Sequence, residues 1–299
     1  RMQKQAVSVP CLSFDSPLFL PTTQNVLLTG QKPLVTTKTG EESGVYKLPA
    51  GFNAIVAVLP REGFNQEDAI CVSKGAVDRG LGLCVQMRVQ TASMSCANGE
   101  TFSLQRPNGR PDVVETVQEC GLPLLNTKIT KGQCILGRVK RGRVEQDASL
   151  YAQGSGCIHK VIFTHGRGGD PQISIQIRQW MPIRVGDKLA SRSAQKGVVS
   201  QLIAEEDLPF SIDGLRPDFL INPAAFPSRM TASQLLEGGL AKLTLRSMRK
   251  GDGSPFQNLT AETLGQELKA AGYTPCGEEV LFDGRSGKRM KCRIFQTPI

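Results

Sequence analysis

The sequence predicts a mixed, mainly β fold with a few helices near its C-terminal end. Three observations lead there. The 299 residues include 31 Gly and 18 Pro, which break the chain into many short segments. Between the breaks lie runs rich in β-branched residues, such as the strand core Ala54–Leu59 and ISIQIRQW at 173–180. Apolar residues at helical spacing appear only after Pro227. At 39% apolar content the chain is no disordered tail, and its length suits one large or two ordinary domains with a real core.

The first eighty residues read as strands and turns. LPAGFNAIVAVLP (48–60) holds an apolar strand between Gly51 and Pro60. REGFNQEDAICVSKGAVDRGLG (61–82) places a polar turn directly before Ala69-Ile70-Cys71-Val72, so Glu67 and Asp68 sit at a loop-to-strand junction, outside a core. From about 84 to 181, VVETV, CILGRV, CIHKVIF and ISIQIRQW alternate with PNGRPD, TKG, QGSG and GRGGDP, which predicts an all-β insertion. A helix is expected after Pro227 with Ser228 or Thr231 as N-cap. Its apolar face would hold Ala232, Leu235, Leu236, Leu240 and Leu243. A second helix over 260–272 has Leu264, Leu268 and Ala271 on one face and Gly272 as its stop. The segment EEVLFDGRSGKRMKCRIF reads as a hairpin about DGRSGK.

The net charge is +9, and the hundred residues from 101 to 200 carry +8 of it, including GRVKRGRVE (137–145) and MPIRVGDKLASRSAQKG (181–197). Basic charge concentrated in one stretch suggests a polyanion partner, nucleic acid being the usual one, although any single cluster can be plain solvated surface. No apolar run approaches the ~20 residues of a membrane span, and RMQKQAVSVP is no secretory signal. The nine cysteines are scattered with no CxxC, which reads as reduced thiols in an intracellular compartment and argues against zinc. The chain has no P-loop, GxGxxG or HExxH, and the two histidines, His159 and His165, do not by themselves make a metal site.

Three segments set polar residues among apolar ones: GFNQEDAI (63–70), GDKLASRSAQKG (186–197) with the following VVSQLIAEEDLPF, and RPDFLINPAAFPSRMTASQLLE (216–237). Together with MQKQAV (2–7), QKPLVTT (31–37) and EEVLFDGRSGKRMKCRIF (278–295), they occur in the family's order along the whole chain. The sequence closely resembles the second-largest, β-type subunit of multisubunit DNA-dependent RNA polymerases.

The resemblance implies a hybrid-binding region built around a double-psi β-barrel, with its first part at 1–83 and its second at 182–299, and a β-rich wall or flap domain inserted at 84–181. It implies nucleotidyl transfer only together with the largest subunit, whose aspartate triad holds the first Mg²⁺ while the second arrives with the nucleotide. This chain has no such triad. The implied partners are the largest and other polymerase subunits, template DNA, nascent RNA and ribonucleoside triphosphates, with no membrane. The setting is intracellular, whether nucleus, cytoplasm or viral factory.

Residue by residue, the resemblance gives Glu67 and Asp68 to the second Mg²⁺, since two-metal phosphoryl transfer needs carboxylates to hold cations. Lys188 and Lys196 match lysines that reach phosphates near the RNA 3′ end, binding charge without reading base identity. Arg229 in PSRM matches the arginine on the triphosphate, where a planar fork clamps oxygens in two places. Gln5 and Lys4 match contacts near the RNA 3′ end. The sequence departs from the family at Ser193-Ala194, where the resemblance would place His-Gly, while the Lys188–Lys196 spacing is kept. Both ends read as cut, so a fragment of a longer chain is expected. The rival reading is a non-catalytic nucleic-acid-binding or scaffold module on the same fold; the joint presence of Glu67, Asp68, Lys188, Lys196 and Arg229 favours the catalytic one.

Overall fold

The computed structural model describes residues 22–47, 49–94, 99–102, 116–118, 120–140, 146–147, 149–165, 170–193, 195–257 and 259–299. They fall into two compact units. One holds Leu27–Leu83 and Pro182–Ile299; the other holds residues 22–26 and Cys84–Met181.

The first unit is organised by a seven-stranded mixed sheet. Its spatial order is Lys188–Ala190, Lys196–Ile203, Ala69–Ser73, Phe219–Ile221, Ile55–Val58, Ile294–Pro298 and Glu278–Glu279. Two of its pairings are parallel, 196–203 with 69–73 and 219–221 with 55–58; the rest are antiparallel. Strands buried on both faces read as continuous apolar runs, and IVAV and AICVS are such runs. Register sorts their side chains: Val56, Phe219 and Val72 lie opposite one another in one core cluster, while Ala57, Leu220 and Cys71 lie in another. Asp218 ties three strands at one end. Its carboxylate accepts from the Ile55 N–H at 2.8 Å and its carbonyl from the Ser73 N–H at 2.8 Å. Burial pushes the Asp218 carboxyl up from its ordinary pKa. Among the described residues the pairings form an open sheet, without the closure that a barrel needs.

The helix expected to run from Pro227 is instead two. A five-residue helix, Ala225–Arg229, ends at Met230 in the left-handed conformation (φ 55°), and the chain restarts as Ala232–Ser247. Thr231 is the N-cap residue of the longer helix, without a side-chain cap bond. The expected leucine face is also corrected. Ala232 and Leu235 are exposed and Leu236, Leu240 and Leu243 only half-buried, while Gln234, Gly238, Gly239, Ala241, Lys242 and Thr244 are buried. The physical reason is close approach: a Cβ at Gly238 would lie 2.6 Å from Thr297 Cγ2 of the neighbouring strand. Lys242 is buried beside them because Nζ donates to the Gly277 carbonyl at 2.6 Å and pairs with Glu279 at 2.5 Å.

The later helix, Ala261–Ala270, follows the sequence closely. Thr260 and Thr263 form a reciprocal capping box, Leu264 and Leu268 are buried, and Gly272 takes φ 90° just past the end. The DGRSGK turn closes as expected, with the Asp283 N–H donating to the Lys288 carbonyl at 2.9 Å.

The second unit is all β among its described residues. A five-stranded sheet runs Thr23–Leu27, Cys84–Ser93, Pro171–Met181, Gly156–His165, Lys128–Ile129, and packs Ile135, Leu136, Ile158, Ile173 and Ile175 into its core. Smaller pairings join Glu100–Phe102, Arg138–Lys140 and Gln146–Asp147, and Cys134–Leu136 with Leu150–Tyr151. Among the described residues no helix is long and apolar enough to cross a membrane.

Candidate functional site

The acidic pair is presented by a turn that one buried asparagine fixes. Asn65 is fully buried; its Oδ1 accepts from the Arg61 N–H and its Nδ2 donates to the Leu59 carbonyl, both at 2.8 Å. Glu67 adopts φ 51°, a left-handed conformation uncommon for a non-glycine residue. The Ala69 N–H then closes on the Gln66 carbonyl at 2.9 Å and the strand begins. Glu67 and Asp68 are both exposed at that junction. On the other side of the turn, Glu62 pairs with Arg285 of the DGRSGK turn at 2.9 Å.

The two lysines lie on adjacent antiparallel strands. Lys188 pairs with Val198 and Ala190 with Lys196. Paired residues share a sheet face, so Lys188 and Lys196 are diagonal neighbours on one face, roughly 7–8 Å apart at the backbone. Both are exposed.

The lysine strand meets the acidic turn through Gly197. The Val198 N–H donates to the Asp68 carbonyl at 2.8 Å, and a Cβ on Gly197 would lie 2.8 Å from that oxygen and 2.7 Å from Ile70 Cγ1. Glycine is required there by proximity of backbone.

Arg229 joins the same place from the third motif. Its Nη2 is ion-paired with Asp68 Oδ1, and its Nη1 donates to the Lys196 carbonyl at 3.3 Å. It stands in the last turn of the short helix rather than at the start of a long one. Gln195 locks this helix to the lysine hairpin: Nε2 donates to the Ala225 carbonyl at 3.1 Å and to the Thr231 hydroxyl. The hairpin tip is held by Glu237, which accepts from Arg192 Nη2 and the Ser193 hydroxyl, each at 2.8 Å. Ser193 thus has a defined partner.

Asp68, Lys196 and Arg229 therefore converge, with Glu67 next in chain and Lys188 one diagonal away. Gln5 and Lys4 lie outside the described residues. Asn65, Gln195, Gly197 and Glu237 were not singled out by sequence; all four lie within or beside the polar motifs, the one signal that marks them. Among the described residues no group of three or more His, Cys, Asp or Glu side chains could hold a metal ion. Two adjacent exposed carboxylates are hard oxygen donors suited to Mg²⁺, but they supply only part of its octahedral shell.

The whole chain, residues 1–299, matches the protein family described as RNA polymerase Rpb2, domain 6. It is 33% identical over 319 residues to the DNA-directed RNA polymerase II subunit RPB2 of Encephalitozoon cuniculi, covering 99% of this chain and 28% of that one. It is 32% identical to the subunit of the same name in Schizosaccharomyces pombe, covering 99% of this chain and 26% of the relative. With the DNA-directed RNA polymerase subunit Rpo2 of Saccharolobus solfataricus it shares 30% identity over 98% of this chain and 28% of the relative. The chain thus spans about a quarter of the length of the curated relatives it matches.

Proposed function

Since the chain belongs to the RNA polymerase Rpb2 domain 6 family, that of second-largest polymerase subunits, we propose that it supplies the active-centre part of such a subunit. In this reading it holds the RNA–DNA hybrid, the RNA 3′ end and the incoming nucleotide during nucleotidyl transfer. The first unit is the hybrid-binding region and the second the wall or flap. The observation that carries the reading is the meeting of the Asp68 and Arg229 side chains with the Lys196 backbone carbonyl at the ends of two adjacent inner strands of one sheet, from three distant segments.

Each residue has a role suited to its chemistry. Arg229 binds triphosphate oxygens with its planar fork and stabilises charge on the departing pyrophosphate. Lys188 and Lys196, on one exposed face, hold RNA phosphates as mobile point charges, which tolerates any sequence and makes binding sensitive to salt. Glu67 and Asp68 hold the cation that accompanies the nucleotide, directly or through its waters. Mg²⁺ held there would supply charge neutralisation at the triphosphate. Gln5 and Lys4 contact the RNA near its 3′ end. The chain has half of the chemistry; the first Mg²⁺, the other subunits and the template complete it.

The test is Arg229→Ala in an assembled polymerase carrying this chain. Nucleotide addition at limiting nucleotide should fall about 10²-fold or more, as for loss of one charge-stabilising donor, with subunit assembly intact. Unchanged elongation at limiting nucleotide would favour the scaffold reading instead.

A further inference from the structure

The second unit contains a cavity of about 230 Å³ beside its five-stranded sheet, remote in sequence from the motifs above. Arg88, Gln90, Gln153, Gly154, Ser155 and Gln179 line it, and no Asp or Glu is among its described lining residues. Arg88 and Gln90 alternate along the Cys84–Ser93 strand, opposite Ile177 and Ile175, so both point to the core face of the sheet.

Two features set this cavity apart from a packing gap. Gln90 is only 7% exposed, yet neither its Nε2 nor its Oε1 has a hydrogen-bond partner. A buried amide left so is destabilising unless something in the cavity completes it. Arg88 spends its Nε on Gln86 Oε1 at 2.6 Å, which fixes the plane of the guanidinium, and its Nη1 stands beside Gly154. A Cβ at Gly154 would lie 2.9 Å from Arg88 Nη1, so the glycine leaves the fork room.

We propose that this cavity is a binding site for a small oxyanion, a group the size of phosphate. An oriented guanidinium, amide donors and a serine hydroxyl, with no carboxylate among the described lining residues, make a donor-rich and positively charged pocket. A cavity needs about 30 Å³ per water at liquid density, so this one has room for a phosphate with water but is smaller than the ≈ 300–1,000 Å³ of ordinary ligand pockets. The site is independent of the nucleotidyl-transfer reading.

The test is thermal melting of the full chain titrated with inorganic phosphate, against chloride at matched ionic strength. Phosphate should raise the melting temperature where chloride does not. Arg88→Gln should weaken apparent phosphate affinity about tenfold or more, the worth of one charge-assisted hydrogen bond. Gly154→Ala keeps the charge but displaces the fork, and should lose the response as well, which covers the case of a poorly folding Arg88 variant. Gln90→Leu should melt higher than wild type without phosphate and respond less to it. Equal stabilisation by phosphate and chloride overturns the proposal. So does a full phosphate response in Arg88→Gln, Gly154→Ala or Gln90→Leu.

Discussion

The Arg229 guanidinium is ion-paired with the Asp68 carboxylate while also donating to the Lys196 carbonyl at 3.3 Å. The residue proposed to clamp phosphate and the residue proposed to face the cation thus satisfy one another. Their side chains are 24% and 52% exposed, and pairs that open to water contribute under about 1 kcal/mol. Such a contact is weak enough to be exchanged: a nucleotide with its cation would give Arg229 a phosphate and Asp68 a metal in one step.

That exchange makes Asp68→Asn informative. Its effect on stability should stay below about 1 kcal/mol, because little is lost at an exposed pair. In assembled polymerase, the Mg²⁺ concentration for half-maximal nucleotide addition should rise roughly 10–100-fold, the usual cost of disturbing groups around a metal. A magnesium titration of single-nucleotide addition reads this out. An unshifted midpoint removes Asp68 from the metal's surroundings.

Gly197→Ala tests the contact that brings the lysine strand to the acidic turn. The new methyl would meet the Asp68 carbonyl oxygen at 2.8 Å, and backbone of a central strand cannot rotate aside. Overpacking of this kind costs about 1–3 kcal/mol. Denaturant unfolding should show that loss, and nucleotide addition should fall beyond what the loss of folded protein explains, since Lys196 is the adjoining residue. A stability within error of wild type would show that the two strands are less tightly apposed.

What the sequence disclosed was local. The strand at Ile55–Val58, the loop-to-strand junction at Asp68, the Gly272 stop and the DGRSGK turn all depend on neighbours within a few residues. The family was also readable, because its motifs occur in order. What failed was long-range. The leucines of 235–243 follow helical spacing, yet the side that faces the Ile294–Pro298 strand must be small, so Gly238 and Ala241 are buried and Leu235 is not. The break at Met230 was hidden for a similar reason: Gln195 and Thr231, apart in sequence, hold the short helix where it ends. Asn65 bonds backbone groups only four and six residues away, at Arg61 and Leu59; its full burial, by contrast, is set by the fold around the turn.

Gly238→Ala measures how far proximity overrides propensity. Alanine is the better helix former by about 1 kcal/mol, which alone would stabilise the Ala232–Ser247 helix. The added Cβ would stand 2.6 Å from Thr297 Cγ2 and 3.0 Å from its Oγ1, the hydroxyl that bonds the Gly238 carbonyl. Overpacking of about 1–3 kcal/mol should outweigh the propensity gain and leave a net loss. Gly239→Ala should cost less, because its Cβ meets the end of the flexible Leu264 side chain at 2.9 Å. Denaturant midpoints of the two variants should fall in that order; a stabilised Gly238→Ala would mean that the helix has room to move off the strand.

Asp252 gives a pH test at a carboxylate that is not among the proposed site residues. Its carboxylate is stabilised first by the Ser254 hydroxyl, then by the Gln257 amide and the Ser254 N–H, which together lower its pKa from 3.8 to about 2. The Ser254 N–H and Gln257 Nε2 each donate to it at 2.9 Å. A carboxyl whose folded pKa is depressed binds fewer protons folded than unfolded. Its contribution to stability is therefore complete above the unfolded pKa near 3.8 and is lost as pH falls through the folded value near 2. A carboxyl ¹³C NMR titration should place the Asp252 midpoint near 2. Ser254→Ala should move it upward, since the foremost cause is then gone. A midpoint already at the ordinary value of 3.8 in the unmutated chain would mean that these hydrogen bonds do not persist in solution.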